Sequence, residues 1–289
     1  MSQPLSSVDV TPRKDALQDY LATALSIAAE AADALVAAFG RHTATRKSDG
    51  TLVTAADRAV DALVTARLHT TYPDHAVLSE ERDTCFAPDT PFSWVVDPLD
   101  GTTNFANGLP IWGISLALLY RGAPVVGVLS FPLLHETYSA VRGGGAQRNA
   151  APVQTAALVV PDDEHFLMCC TRTPRRYRLD TPLKPRILGS AAYHVAAVAC
   201  GSAAAGVEAT PKLWDLAAAL LILEEAGGVY RRLSTAIGFA GDMLFPLAST
   251  PTNYANLSFP LLLAANETLL ARVLPTIIPL DLSDNGGRS

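Results

Sequence analysis

Two aspartates three positions apart carry the strongest chemical signal in this sequence. In Trp94-Val95-Val96-Asp97-Pro98-Leu99-Asp100-Gly101-Thr102-Thr103-Asn104-Phe105 an apolar run delivers Asp97 at its end. Pro98 has no N–H and stops strand pairing from continuing. Gly101 allows close approach to a ligand. Thr102, Thr103 and Asn104 read as the opening of a helix whose free N–H groups favour a phosphate. Two carboxylates beside such a site would repel the phosphate, and divalent cations reconcile them. Hard oxygen ligands suit Mg²⁺ at about 2.0–2.1 Å, with substrate oxygens completing the octahedron. Taken alone, Asp97 and Asp100 serve equally well as turn formers in an Asp-Pro corner. Two more acidic sites bear on that choice. Ser79-Glu80-Glu81 ends an apolar run, and Trp214-Asp215-Leu216 starts an amphipathic helix. Asp215 alternatively acts there as a first-turn acid matched to the helix dipole.

Rival chemistries fit poorly. His42, His69, His75, His135, His165 and His194 form no metal-spaced pair, and packing or surface roles account for them. Gly113-Ile114-Ser115-Leu116-Ala117 sits inside a strand pattern and only loosely follows a nucleophile elbow. There is no phosphate loop ending in Gly-Lys-Ser/Thr. The glycines at 143, 144 and 145 close a strand pattern and precede no helix, so they read as a turn. An aspartyl-phosphate mechanism wants Asp-x-Asp, whereas Asp97-Pro-Leu-Asp100 is one residue longer.

The elements that must position these residues follow from periodicity. Thr11 caps and Pro12 opens a first helix whose Leu17, Leu21, Leu25, Ala28, Ala32, Leu35 and Phe39 recur every three or four residues, and Gly40 closes it. Thr54-Ala55-Ala56-Asp57 has capping-box spacing for a second helix with Val60, Leu63, Val64 and Leu68 on its apolar stripe. After Asp74 the period shortens: HAVLS, SWVVD, GISLALLY, PVVGVLSF and ETYSAVRG predict strands, the last three antiparallel. Residues 150–164 read as a connection. HFLMCC, PRILG, GVEA and FPLLLAA then alternate as strands with the helices SAAYHVAAVAC and LWDLAAALLILEEA. The chain therefore divides into an α+β lobe with an antiparallel sheet, 1–155, carrying most of the acids, and a mixed α/β lobe, 156–289, carrying Asp215.

Composition bounds the partners. The 289 residues are 49% hydrophobic and 17% charged, as in a globular protein, and the net charge of −6 leaves no basic footprint for nucleic acid. The start has no secretory apolar run. The longest uncharged stretch, between Asp242 and Glu267, is broken by Pro246, Pro251 and Pro260, so no membrane span is expected there. Cys85, Cys169, Cys170 and Cys200 show no disulfide rhythm, which fits buried thiols in the cytoplasm.

Taken together, KSDGTLVTAAD (47–57), SEE (79–81), WVVDPLDGTTNF (94–105), GSAA (189–192) and LWDLAAALLILEEAGG (213–228) resemble the inositol monophosphatase family of Li⁺-sensitive, Mg²⁺-dependent sugar phosphatases over nearly the whole chain. The resemblance implies a layered αβαβα sandwich and two or three Mg²⁺ per site. It implies metal ligation by Glu80, Asp97, the Leu99 carbonyl, Asp100 and Asp215. Thr102 would orient the attacking water and Asp57 would orient Thr102. Gly101 and Thr102 would offer N–H groups to phosphate, while Asp100 and Asp215 would face substrate. Gly189, Ser190, Ala191 and Glu208 would line the alcohol side, Glu81 would stand behind Glu80, and Lys47 and Asp49 would lie near a weaker third metal. One departure is Ser79, where the family has glycine; a positive φ there would strain a serine and displace Glu80.

The implied reaction is in-line hydrolysis by metal-activated water without a covalent intermediate. The implied substrate is a small sugar or cyclitol phosphate, inositol monophosphate first. Dedicated phosphatases for fructose 1,6-bisphosphate, histidinol phosphate or a 3′-phosphonucleotide are alternatives, although Thr102-Thr103-Asn104-Phe105 weighs against the last. A catalytically dead regulatory homologue would have lost a ligand, and none is lost. Family habit implies a homodimer.

Overall fold

Thr54 shows how local sequence fixes this fold. In the computed structural model, which describes residues 12–40, 45–46, 52–86, 88–233, 244–248 and 250–280, its hydroxyl accepts from the N–H groups of Ala56 and Asp57 while Asp57 reaches back to the Thr54 N–H. This reciprocal box starts helix α2 (Ala55–Thr71) where the spacing predicts. Helix α1 (Lys14–Ala38) begins later than its sequence suggests. Its N-cap is Arg13, with no side-chain cap bond, Pro12 precedes the cap, and Thr11 lies outside the described residues. By length and mean hydropathy α1 could cross a bilayer, but Leu17, Ala24, Ile27, Ala28, Ala31 and Leu35 bury one face in the core.

The first sheet is a meander. Strands β1 (Ala76–Ser79), β2 (Phe92–Asp100), β3 (Gly113–Tyr120), β4 (Ala123–Phe131), β5 (Glu136–Val141), β6 (Ala146–Arg148) and β7 (Ala151–Val153) lie in the order β7-β6-β5-β4-β3-β2-β1. Every pair is antiparallel except β1 with β2. Alternation assigns its two faces. Trp94, Val96, Ile114, Leu116, Leu118 and Val128 pack on α1 and α2, whereas Val95, Ala117, Leu119, Leu129 and Phe131 face the interior. A five-residue helix α3 (Thr102–Ala106) leaves the end of β2.

The second sheet is mixed, in the order β9-β8-β10-β12-β11: β8 (Phe166–Cys169), β9 (Lys184–Arg186), β10 (Ala205–Glu208), β11 (Val229–Arg232) and β12 (Leu261–Ala264). β8 is parallel to β9 and β10, and β12 is antiparallel to β10 and β11. Helices α4 (Ala191–Ala199) and α5 (Leu213–Glu225) lie between the sheets, and α6 (Glu267–Val273) covers the far face. The result is the expected αβαβα layering. Being sandwiched explains why α5 is apolar nearly all round, with ten of its thirteen residues buried.

Two local expectations need correction, and a third is extended. The strand predicted for PRILG covers only Lys184–Arg186; the Leu188 N–H turns to the His194 ring at 3.0 Å and leaves the ladder. The connection predicted from residue 150 contains β7, and α6, with Asn266 as its cap, had gone unread. The glycines at 143–145 do form a turn, yet that turn holds an anion. The Gly143 and Gly145 N–H groups each donate at 2.8 Å to the Glu225 carboxylate at the end of α5.

Candidate active site

A bulge brings the two aspartates together. Asp97 pairs with Ser115 and Asp100 with Gly113, so β2 advances three residues while β3 advances two. Regular pleating would send residues 97 and 100 to opposite faces; the extra residue restores them to one side. The Leu99 N–H donates to Asp97 at 2.9 Å and fixes the turned carboxylate. Gly101 then needs φ +89°, and a Cβ there would stand 2.9 Å from the Ile111 carbonyl oxygen.

Ser115 also delivers the third acid. Its buried hydroxyl, opposite Asp97 in the ladder, donates to the Trp214 carbonyl at 2.9 Å and brings the first turn of α5 against β2. Asp215 accepts from the Lys212 N–H at 2.8 Å. One carboxylate oxygen from each of Asp97, Asp100 and Asp215 lies within 4.8 Å of the others. Glu80 follows the end of β1 and donates its N–H to the Val96 carbonyl at 3.2 Å, beside Asp97. Glu81 is half-buried next to it.

The electrostatics demand a counter-charge. Burial first, then the charges of Glu80, Asp215 and Asp100, push the Asp97 carboxyl well above the usual range. Asp215 is raised likewise by burial and by Asp100. Asp100 is raised by burial, against the pull of its donors: the Ser190 hydroxyl, the Ala192 N–H at 3.0 Å and the Ala191 N–H at 3.3 Å. Among the described residues, no lysine or arginine forms a salt bridge with these three aspartates. Convergent carboxylate oxygens with no such partner among the described residues fit a hard divalent cation.

Thr102 sits beside the cluster. Its single hydroxyl proton is shared between Asp57 Oδ1 at 3.2 Å and the Leu99 carbonyl at 3.0 Å, leaving Oγ1 lone pairs as acceptors. The capping box holds the other Asp57 oxygen, so helix initiation also aims this acid. Burial raises the Asp57 pKa.

On the other side, Ser190 caps α4 and is buried, Gly189 is exposed with φ +83°, and Ala191 is half-buried. Asn104 Nδ2 donates to both the Ile111 and Leu188 carbonyls at 2.7 Å, tying α3 to this turn. Glu208 ends β10, 1% exposed, against the His194 ring. Lys47 and Asp49 lie outside the described residues. Ser79 is unstrained: it is not among the positive-φ residues, and its hydroxyl donates to Asp61. Asp61 itself, which also accepts from Arg82 Nε, escaped sequence reasoning. The available signal was an acid one turn after Asp57 on the apolar stripe of α2.

The sequence model of the inositol monophosphatase family matches residues 16–265. A histidinol-phosphatase of Chlorobaculum parvum is 34% identical over 222 residues, 72% of this chain and 83% of the relative. An inositol-1-monophosphatase of Synechocystis is 37% identical over 194 residues, 62% of this chain and 66% of the relative. Among solved structures, a Thermotoga maritima IMPase superposes with a TM-score of 0.75 at 26% identity, over 89% of this chain and 96% of its own.

Proposed function

The chain belongs to the inositol monophosphatase family of metal-dependent phosphatases, and from that premise we propose that it hydrolyses small phosphate monoesters with Mg²⁺, inositol monophosphate first. The observation that carries this reading is the convergence of Asp97, Asp100 and Asp215, none of which forms a salt bridge with a lysine or arginine among the described residues. Glu80, Asp97 and the Leu99 carbonyl would hold one cation and Asp97, Asp100 and Asp215 a second; a third would involve the 47–49 segment. When bound, such ions make water more acidic and offset charge on the transferring phosphoryl group and the leaving oxygen.

The remaining steps belong to the chain. Oγ1 of Thr102 accepts a hydrogen bond from the attacking water. As that water attacks, its proton passes to Oγ1 while the Thr102 proton moves to Asp57. A raised Asp57 pKa makes it the better acceptor for that proton. The Gly101 and Thr102 N–H groups would orient the phosphate, and Gly189, Ser190 and Ala191, with Glu208 beneath them, would border the alcohol.

The likeness to a histidinol-phosphatase over 72% of the chain supports histidinol phosphate as a second reading. Phosphate release from inositol 1-phosphate, histidinol phosphate, fructose 1,6-bisphosphate and a 3′-phosphonucleotide decides between them. We expect kcat/KM to favour the inositol ester over each rival by about tenfold, or about 1.4 kcal/mol. Preference for histidinol phosphate would select the second reading. No release from any substrate with Mg²⁺ present would overturn the proposal.

A further inference from the structure

His194 is an ionisable side chain that the mechanism above leaves unused, and it is buried to 1% exposure. Its two ring nitrogens do different jobs. The Leu188 backbone N–H lies 3.0 Å from Nε2 and can only donate, so Nε2 carries a lone pair. The proton must then sit on Nδ1, 2.6 Å from Glu208 Oε1, and be donated to that carboxyl oxygen. The contact is a hydrogen bond from a neutral ring, and burial accordingly holds the His194 pKa down to about 4. Each end of this bridge leads to the site. Leu188 accepts from Asn104 through its carbonyl and is two residues from Ser190, whose hydroxyl donates to Asp100. Glu208 is the buried acid at the end of β10.

We infer that His194 is a positioning residue for the substrate side of the site. Nε2 fixes the turn that carries Ser190 to Asp100, and Nδ1–H fixes the Glu208 carboxyl group. Without the ring the half-buried Leu188 N–H would lose its acceptor, and Glu208, which also has Cys170 beside it, would lose the donor to Oε1. The inference rests on the metal-site reading above.

Two variants separate the ends. His194→Asn keeps a donor near the Nδ1 position and has nothing that reaches Leu188. His194→Gln keeps an acceptor near the Nε2 position and withdraws the donor from Glu208. Mg²⁺ binding is measured by calorimetry without substrate, and kcat/KM is compared for inositol 1-phosphate and p-nitrophenyl phosphate. His194→Asn should raise the Mg²⁺ Kd about tenfold, as loss of outer support does in metal sites, and leave the ratio of the two substrates unchanged. His194→Gln should leave the Mg²⁺ Kd within about twofold and cut the preference for inositol 1-phosphate about tenfold. In the wild type, ¹⁵N spectra should show a neutral ring protonated at Nδ1 at neutral pH. Variants that only lower Tm, with Kd and preference unchanged, would reduce His194 to packing and overturn the inference. So would a ring protonated at Nε2. Absence of Mg²⁺ binding in the wild type would overturn the proposed function and this inference together.

Discussion

Replacing Ser190 by alanine removes one hydroxyl from Asp100 and leaves the two backbone donors of α4 in place. A hydrogen bond to an ionised carboxylate contributes about 1.5–3 kcal/mol and one to a neutral acid about 0.5–1.5 kcal/mol. Losing the hydroxyl therefore favours protonated Asp100 by about 1–1.5 kcal/mol, a factor of about five to twelve. Burial already raises this carboxyl, so a proton competes with the cation for it increasingly as pH falls. The sign follows: cation affinity falls as pH falls, and the variant begins that fall at higher pH. Calorimetric titration of Mg²⁺ into metal-free protein over a pH series should show the variant's Kd rising toward the acidic end, by at most about five- to twelvefold. Toward the alkaline end, where proton competition fades, the change should be within about twofold. Ser190 Oγ also accepts from the Tyr193 N–H at 3.1 Å as the cap of α4. Its loss should cost about 1 kcal/mol, or about 2–4 °C in Tm. An equal loss of affinity across the pH series, or none at its acidic end, would refute the reasoning.

Exhaustive chelation should abolish phosphate release and Mg²⁺ should restore it; full turnover in excess chelator contradicts the metal reading. Thr102→Ala should lower kcat about a hundredfold or more with KM changed less than about threefold, in steady-state assays, because orientation of the water acts mainly in the transition state. Burial raises Asp97, Asp215 and Glu208 well above the usual range, so the metal-free fold holds protons that the unfolded chain releases. Their contribution to stability is full below the ordinary carboxylate range and is lost as pH rises through the raised values. Thermal unfolding in chelator should therefore show Tm falling as pH rises beyond the ordinary carboxylate range, and Mg²⁺ should flatten the slope. Glu225→Gln should lower Tm by about 2–4 °C, since one glycine N–H of the 143–145 turn loses its charged acceptor.

The elements that carry local signals were legible. Thr54 and Asp57 announce their helix and, with it, the acid that faces Thr102. Pro98 marks the place where β2 departs from regular pairing, and the glycine at 101 marks the tight turn beyond it. What stayed hidden were side-chain bonds between residues remote in sequence. Asp61 meets Ser79 across 18 positions, Glu208 meets His194 across 14, and Asp100 meets Ser190 across 90. No periodicity encodes such pairs, because they depend on how two elements come to rest against each other. Their trace was a polar residue on an apolar face: Asp61 on the α2 stripe and His194 inside Ala191–Ala199. The triple glycine was readable as a turn, but the carboxylate that fills it lies about eighty residues further along.

Helix α5 is fastened to the first sheet at both ends. At its start the Ser115 hydroxyl grips the Trp214 carbonyl; at its finish the Gly143 and Gly145 amides grip Glu225, and Arg142 pairs with Glu224 at 2.5 Å. A rod pinned twice can neither slide nor roll without breaking a pin. Although α5 belongs to the second half by sequence, mechanically it is a crossbar of the first. The gap between Asp97 and Asp215 is thus set by the geometry of one sheet and not by a hinge between halves. Loosening either pin would therefore move Asp215 relative to Asp97.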